Sequence, residues 1–380
     1  MKITFPHMGD AYISVKVLLD ELGLDYYMPP VGSHETMEIG IANSPEFMCL
    51  PFKKVLGDFI NGLNNGADTI LFGESGGQCR MSYYGDLMQD ILRSMGYKFN
   101  YIHFNFSHLT YKEAARNLGP FLTGKSKLSV IKAAVNAGWT VFAVDKLYAL
   151  SRKIRCREIK HGTTDKIMRE FEQKAQTVHG FKNIHRALTE ARKELKHVEI
   201  DKTFEPVKIA LVGEIFISSD SFTNLEIEKK LGNMGAYVHN TMGVSEWIFK
   251  HFIKYMIPFN RRDKSIEAAQ PYMHTDDIGG HGIYTIGNTE LLSHGSYDGI
   301  IQIYPFTCMP EIIAQTTLGE IQRKNGVPVM TLILDEMTGE TGYITRLEAF
   351  VDMLRFQKEQ KYEEKNQKEP IKHPKLKHVS

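Results

Sequence analysis

The chain of 380 residues carries four cysteines, and three of them share one local setting. Cys308 follows the apolar run Gly299-Ile300-Ile301-Gln302-Ile303-Tyr304 and directly precedes a helical pattern that starts near Glu311. Cys79 follows the strand-like Thr69-Ile70-Leu71-Phe72, in the segment Glu74-Ser75-Gly76-Gly77-Gln78-Cys79-Arg80. Cys49 lies in Asn43-Ser44-Pro45-Glu46-Phe47-Met48-Cys49-Leu50-Pro51, where Pro51 suits the first turn of a helix. The free N–H groups and partial positive charge of a helix N-terminus lower a thiol pKa and favour thiolates around an anionic cluster. In open α/β sheets, ligands gather outside the carboxyl ends of the strands. Glycines beside Cys79 allow close backbone approach, and Arg80 adds a cation.

Each thiol, taken alone, also suits a buried small residue, since free cysteine is among the most buried types. Three in one topological place point to ligation. Cys156 differs: it sits mid-helix among Arg152, Lys153, Arg155 and Arg157 and reads as a non-ligand. Zinc is the chemical rival, but structural zinc sites pair their ligands at short spacing, and no C-x-x-C occurs here. Widely spaced single cysteines from separate loops suit an interdomain iron–sulfur cluster better. Three thiolates would leave one iron open to another ligand or to substrate.

Two carboxylates fall in the same crevice. Glu214 ends the strand Val207–Val212, and Glu311 lies beside Cys308. A carboxylate near an anionic cluster has its pKa raised, which suits general acid catalysis. A glutamate in the first turn of a helix is equally expected for dipole reasons. Gly119-Pro120-Phe121-Leu122-Thr123-Gly124-Lys125-Ser126 fits the P-loop expression, but a polar helix-like segment precedes it instead of a buried strand, so it reads as a turn. His274, Asp276, Asp277 and His281 hold metal-capable groups close together, and the glycines among them make a polar loop the simpler reading, at the rim of the cleft.

These residues need an α/β frame to hold them. Residues 1–109 alternate strand and helix: Lys2–Phe5, Leu24–Met28, Thr69–Phe72 and Phe99–Phe104 read as strands, and Pro51–Leu63 and Tyr84–Met95 as helices. Residues 110–202 are helix-like and charge-rich, through Tyr111–Asn117, Lys127–Ala137, Asp145–Arg157 and Asp165–Leu195, with Thr140–Val144 ambiguous. A second α/β run fills 203–357, with strands at Val207–Val212, Tyr237–His239, Gly299–Tyr304 and Val327–Leu334 and helices at Asn224–Met234, Glu311–Lys324 and Thr345–Gln357. The expected fold is α/β, with two Rossmann-like parallel-sheet domains and an intervening helical segment. Residues 358–380, rich in Lys, Glu and Gln, read as a disordered charged tail.

A net charge of +1 gives no global field for nucleic acid or an anionic membrane, so neither is expected as a partner. With 42% hydrophobic residues the chain can build a core, and no apolar run reaches membrane-spanning length. The opening Met1-Lys2-Ile3-Thr4-Phe5-Pro6 has no leader pattern, so a cytoplasmic protein is expected.

Several segments resemble the 2-hydroxyacyl-CoA dehydratase and CoA-activase-related family. They include Pro6-His7-Met8-Gly9-Asp10, the Cys49 and Cys79 segments already quoted, and Val212-Gly213-Glu214-Ile215. Gly279-Gly280-His281-Gly282, Pro305-Phe306-Thr307-Cys308-Met309-Pro310-Glu311 and Thr345-Arg346-Leu347-Glu348-Ala349-Phe350 continue the match in order. The resemblance implies a cluster between Rossmann-like domains, with Cys49, Cys79 and Cys308 as ligands. It also implies an ATP-dependent activator of the actin-like sugar-kinase superfamily that injects low-potential electrons. Members with a double-cubane cluster use more cysteines than the four present here, which favours a single 4Fe–4S cluster or a partner that supplies further thiols. The implied activity is a redox step coupled to the activator, either a reductase or a dehydratase-like lyase acting on an acyl-CoA. The alternative is a non-catalytic scaffold or cluster carrier for the activator. Whether one chain or a homodimer completes the site is left open by the sequence.

Overall fold

A computed structural model describes residues 1–74, 79–105, 119, 124–248, 263–273, 275 and 278–368. It is an α/β protein with two four-stranded parallel sheets and fourteen α-helices among those residues. The first half runs β1 (Lys2–Thr4), α1 (Ala11–Glu21), β2 (Asp25–Tyr27), α2 (His34–Asn43), α3 (Leu50–Asn64), β3 (Thr69–Glu74), α4 (Tyr84–Ser94) and β4 (Asn100–Asn105). Its strand order is β2-β1-β3-β4. The chain therefore reverses direction across the sheet between β1 and β3, which opens a crevice at their carboxyl ends.

The helical stretch contains α5 (Lys127–Arg155), α6 (Thr163–Thr177) and α7 (Gly180–His197). Thr140–Val144 lies inside α5, so the ambiguous run is helical. On α7 the buried residues Ile184, Ala187, Leu188, Ala191 and Leu195 form one stripe at helical spacing. That stripe, with Met168 and Phe171 of α6, shares a core with Ile3, Phe5, Tyr12, Ile13 and Val17. The helices thus extend the hydrophobic core of the first sheet.

The second half runs β5 (Val207–Gly213), α8 (Ile215–Ser219), α9 (Ile227–Asn233), β6 (Ala236–Asn240), α10 (Val244–Ile248), α11 (Lys264–Ala269), α12 (Gly282–Ser293), β7 (Gly299–Pro305), α13 (Met309–Asn325), β8 (Val329–Leu334) and α14 (Glu340–Lys368). Its order, β6-β5-β7-β8, repeats that of the first sheet. Every residue of β7 is buried, as expected for a parallel strand covered on both faces.

The two halves share side chains across their boundary. Met37 and Leu50 pack into the core around β5 and β7, and Phe216 packs into the core around α3 and β3. The Gly9 amide donates to Asp220 Oδ2 at 3.3 Å, and Lys53 pairs with Glu336.

The tail expectation needs correction. α14 buries Tyr343, Leu347, Phe350, Val351 and Leu354 and then continues as helix to Lys368. Lys, Glu and Gln are strong helix formers, so an anchored helix propagates through them without further burial. Residues 369–380, the expected helix Tyr111–Asn117, residues 75–78 and 120–123, His274, Asp276 and Asp277 lie outside the described residues. Ser126, at the end of the P-loop-like sequence, caps α5 by accepting from the Ser129 amide at 3.2 Å. Among the described residues, no helix is long and apolar enough to cross a membrane.

Candidate functional site

Each of the three cysteines singled out by spacing stands at a helix N-terminus. Cys49 is the N-cap of α3, Cys79 that of a 3₁₀ turn, Arg80–Tyr83, that leads into α4, and Cys308 that of α13. Prolines in the first turns of α3 and α13 fix φ where no amide partner is needed. Cys79 follows β3 and Cys308 follows β7, so each lies beside the crevice of its own sheet.

Arg80 joins the loops. Its Nη2 donates to Thr307 O at 2.8 Å and to Thr307 Oγ1 at 2.9 Å, and its Nη1 donates to Phe47 O at 3.2 Å. Thr307 Oγ1 also donates to Phe47 O at 3.3 Å. Residues next to Cys79 and Cys308, and two before Cys49, are therefore bonded in one junction that crosses between the halves. Thr307 holds φ of 69°, uncommon for a β-branched residue, and this bend turns the chain into Cys308. The loop before α12 closes the same junction: a Cβ at Gly280 would lie 3.0 Å from Pro310 Cγ and 3.9 Å from Cys79 Cβ.

The electrostatics depart from the sequence-based expectation. Helix N-termini were expected to lower the thiol pKa values, yet burial raises all three. Burial pushes Cys49 up to about 11, with Glu214 and Cys79 adding to the effect. Cys79 rises from burial, then from Glu214 and Glu311. Cys308 rises furthest, from burial first and then from Glu311, Glu214 and Cys49. The amides of Phe52, Met81 and Glu311 pull the three thiols the other way, but no thiol caps its helix by a hydrogen bond. Desolvation of the charged form wins over the dipole. These mutual influences place the three thiols and both glutamates in one electrostatic neighbourhood.

Glu214 and Glu311 are held by the fold itself. Glu214 caps α8, accepting from the Phe216 and Ile217 amides at 2.9 Å each. Glu311 is fully buried and accepts from Gln302 Nε2 at 3.0 Å and Thr285 Oγ1 at 2.9 Å. Burial raises each to about 7, with Glu214 adding to the effect at Glu311. Either group can hold a proton near neutral pH.

Cys156 is buried at the C-terminal end of α5, where its Sγ–H faces Lys153 O at 3.5 Å. Its thiol is raised by burial, and none of the other three cysteines is among the influences on it. Among the described residues, no three His, Cys, Asp or Glu side chains lie close enough to hold one metal ion. A cluster's thiolates bind separate irons and so stand wider apart than the ligands of a single ion. Three soft sulfur donors on three tethered loops fit such a group.

A cavity of about 730 Å³ went unread in the sequence. Asp10, Tyr148, Glu172, Arg152 and His239 line it, between α5, α6 and the carboxyl end of β6. Tyr148 donates to Glu172 at 2.8 Å, and Arg152 pairs with Glu228 at 2.9 Å. Asp10 alone carried a signal, as an acidic residue just past the first strand. The others sit on helix faces that packing orients.

The chain matches no known protein-family model and no curated protein.

Proposed function

We propose that this chain is an iron–sulfur redox protein that holds a 4Fe–4S cluster between two Rossmann-like domains, with Cys49, Cys79 and Cys308 as ligands. The observation that carries this reading is the Arg80–Thr307–Phe47 junction, which ties the three cysteine-bearing loops together across the two halves. When bound, the cluster supplies low-potential one-electron chemistry. The chain's own residues do the rest. The loops carry three sulfurs, Cys308 buried and Cys49 and Cys79 half-buried, and Arg80 holds the junction closed. Glu214, at the N-cap of α8, and Glu311, in the core, hold protons near neutral pH for an acid–base step.

Phe47, Tyr83, Phe306 and Met309 flank the cysteines, are at least 54% exposed, and form an apolar rim. Such a rim suits a docking protein, in keeping with an ATP-dependent activator as electron donor. The same rim supports a second reading, in which the chain is a cluster carrier or scaffold for that partner with no substrate of its own. An acyl-CoA substrate and a cytoplasmic setting belong to the first reading.

Anaerobic reconstitution followed by iron, sulfide and EPR analysis tests the proposal. The expected result is four irons and four sulfides per chain, lost on Cys→Ala substitution at 49, 79 or 308 and retained at 156. A colourless protein after reconstitution, or zinc without sulfide, overturns it. A cluster that the activator reduces but that turns over no acyl-CoA favours the carrier reading.

A further inference from the structure

We infer that Tyr84 tunes the cluster, by donating a hydrogen bond from its phenol to the Cys49 sulfur and so stabilising the reduced state. This rests on the proposed ligand role of Cys49. The Tyr84 hydroxyl lies 2.5 Å from Cys49 Sγ. The ring is 3% exposed and stacks edge-on against Phe52, centroid to centroid 4.8 Å, so packing fixes the direction of the hydroxyl. Tyr84 opens α4, directly after the turn that carries Cys79, and Cys49 opens α3. Packing between α3 and α4 thus sets the contact, independently of the Arg80 junction.

A buried phenol needs an acceptor. A neutral thiol is a poor one, whereas a thiolate is a strong one. Once iron binding displaces the Cys49 proton to solvent, only the tyrosine can donate, and the direction of the bond is settled. Hydrogen bonds to cluster sulfurs withdraw charge and favour the more negative, reduced form. Tyr84 is a positioning and tuning residue, since it reaches the group through its ligand.

The test compares reduction potentials of the reconstituted full-length chain by EPR-monitored titration. Tyr84→Phe is expected to keep its iron and sulfide while its reduction equilibrium falls about tenfold, a shift of about 59 mV to lower potential for one electron. Equal potentials in two equally loaded proteins overturn the inference and leave the function reading standing. A wild-type chain that assembles no cluster overturns both. Should Tyr84→Phe fail to load, 3-fluorotyrosine at position 84 strengthens the O–H donor at nearly constant shape. The potential should then rise, and an unchanged value overturns the inference.

Discussion

The two halves of the chain are built to one plan and equipped differently. Both sheets have the same order and all-parallel strands. In both, a pair of helices pressed together leads into the third strand of the half. α2 meets α3 where a Cβ on Gly57 would lie 1.8 Å from Thr36 O, and α11 meets α12 where one on Gly287 would lie 1.7 Å from Ser265 O. Cys79 and Cys308 occupy matching places after β3 and β7. The N-terminus of α3 presents Cys49, and that of α12 presents His281. At the end of the first strand, the first half has buried His7, and the second has Glu214. The difference shows that a repeated frame brings loops together while side chains at a few helix N-termini decide which half supplies sulfur. Two thiols come from one side and one from the other.

The largest effect expected is on the site itself. If the lone thiol of the second half matters as much as the pair in the first, Cys308→Ala loses as much iron and sulfide as Cys49→Ala or Cys79→Ala. Full iron content in Cys308→Ala would confine the site to the first half.

The helix pairs come next. Gly57→Ala and Gly287→Ala each force a Cβ against backbone that cannot yield cheaply, and each should destabilise the fold by about 1–3 kcal/mol in urea melts. If only one variant loses stability, the structural correspondence between the halves fails.

Acidity should act on His7 and on the two glutamates in opposite directions. Burial holds His7 down at about 4 in the folded chain, so folded protein carries fewer protons there than unfolded protein between pH 4 and 6.5. Its contribution is therefore present above pH 6.5 and lost as pH falls, by on the order of 3 kcal/mol. Glu214 and Glu311 are raised to about 7, so their contribution is present below pH 4.5 and lost as pH rises to 7. Urea melts of the cluster-free chain should show His7→Gln removing part of the stability loss between pH 6.5 and 4, and Glu214→Gln or Glu311→Gln removing part of the loss between pH 4.5 and 7. A His7→Gln effect confined to the alkaline side, or a glutamate effect confined to the acid side, would break the contrast.

Arg80→Met removes three hydrogen bonds at a partly exposed site, two of them to Thr307 in the other half and one to Phe47 O in its own, with an expected cost of about 1–3 kcal/mol. The readout is easier proteolysis at the Phe47 and Thr307 loops, and unchanged cleavage would show that the shared apolar cores and the remaining polar contacts, such as Lys53–Glu336, hold the halves without Arg80. Smallest of all, truncation after Lys358 should change stability by less than about 0.5 kcal/mol, because Leu354 is the last buried residue among the described side chains of α14 and Lys358, which donates to Pro206 O at 3.0 Å, is kept.

Much of this architecture was legible in the chain itself. The eight strands and helices such as α3, α4, α7 and α13 announce themselves because apolar spacing is a local record of which face is buried. The N-terminal placement of Cys49, Cys79 and Cys308 follows from the same spacing together with Pro51 and Pro310. α12 was missed because Gly282, Gly287 and Asn288 disguise a helix that packing buries almost all round. The helical continuation to Lys368 was missed because polarity was read as disorder, although propensity and an anchored preceding turn sustain helix there.

What the sequence by itself determined is the set of elements and the positions of three thiols at their ends, since both depend on neighbours within a few residues. The tertiary structure alone decided that Arg80 meets Thr307, 227 residues away, that Tyr84 faces Cys49, and that desolvation outweighs the helix dipole at each thiol. The physical reason is range: periodicity is written into adjacent turns, whereas burial and hydrogen bonds between distant loops exist only after both sheets have packed.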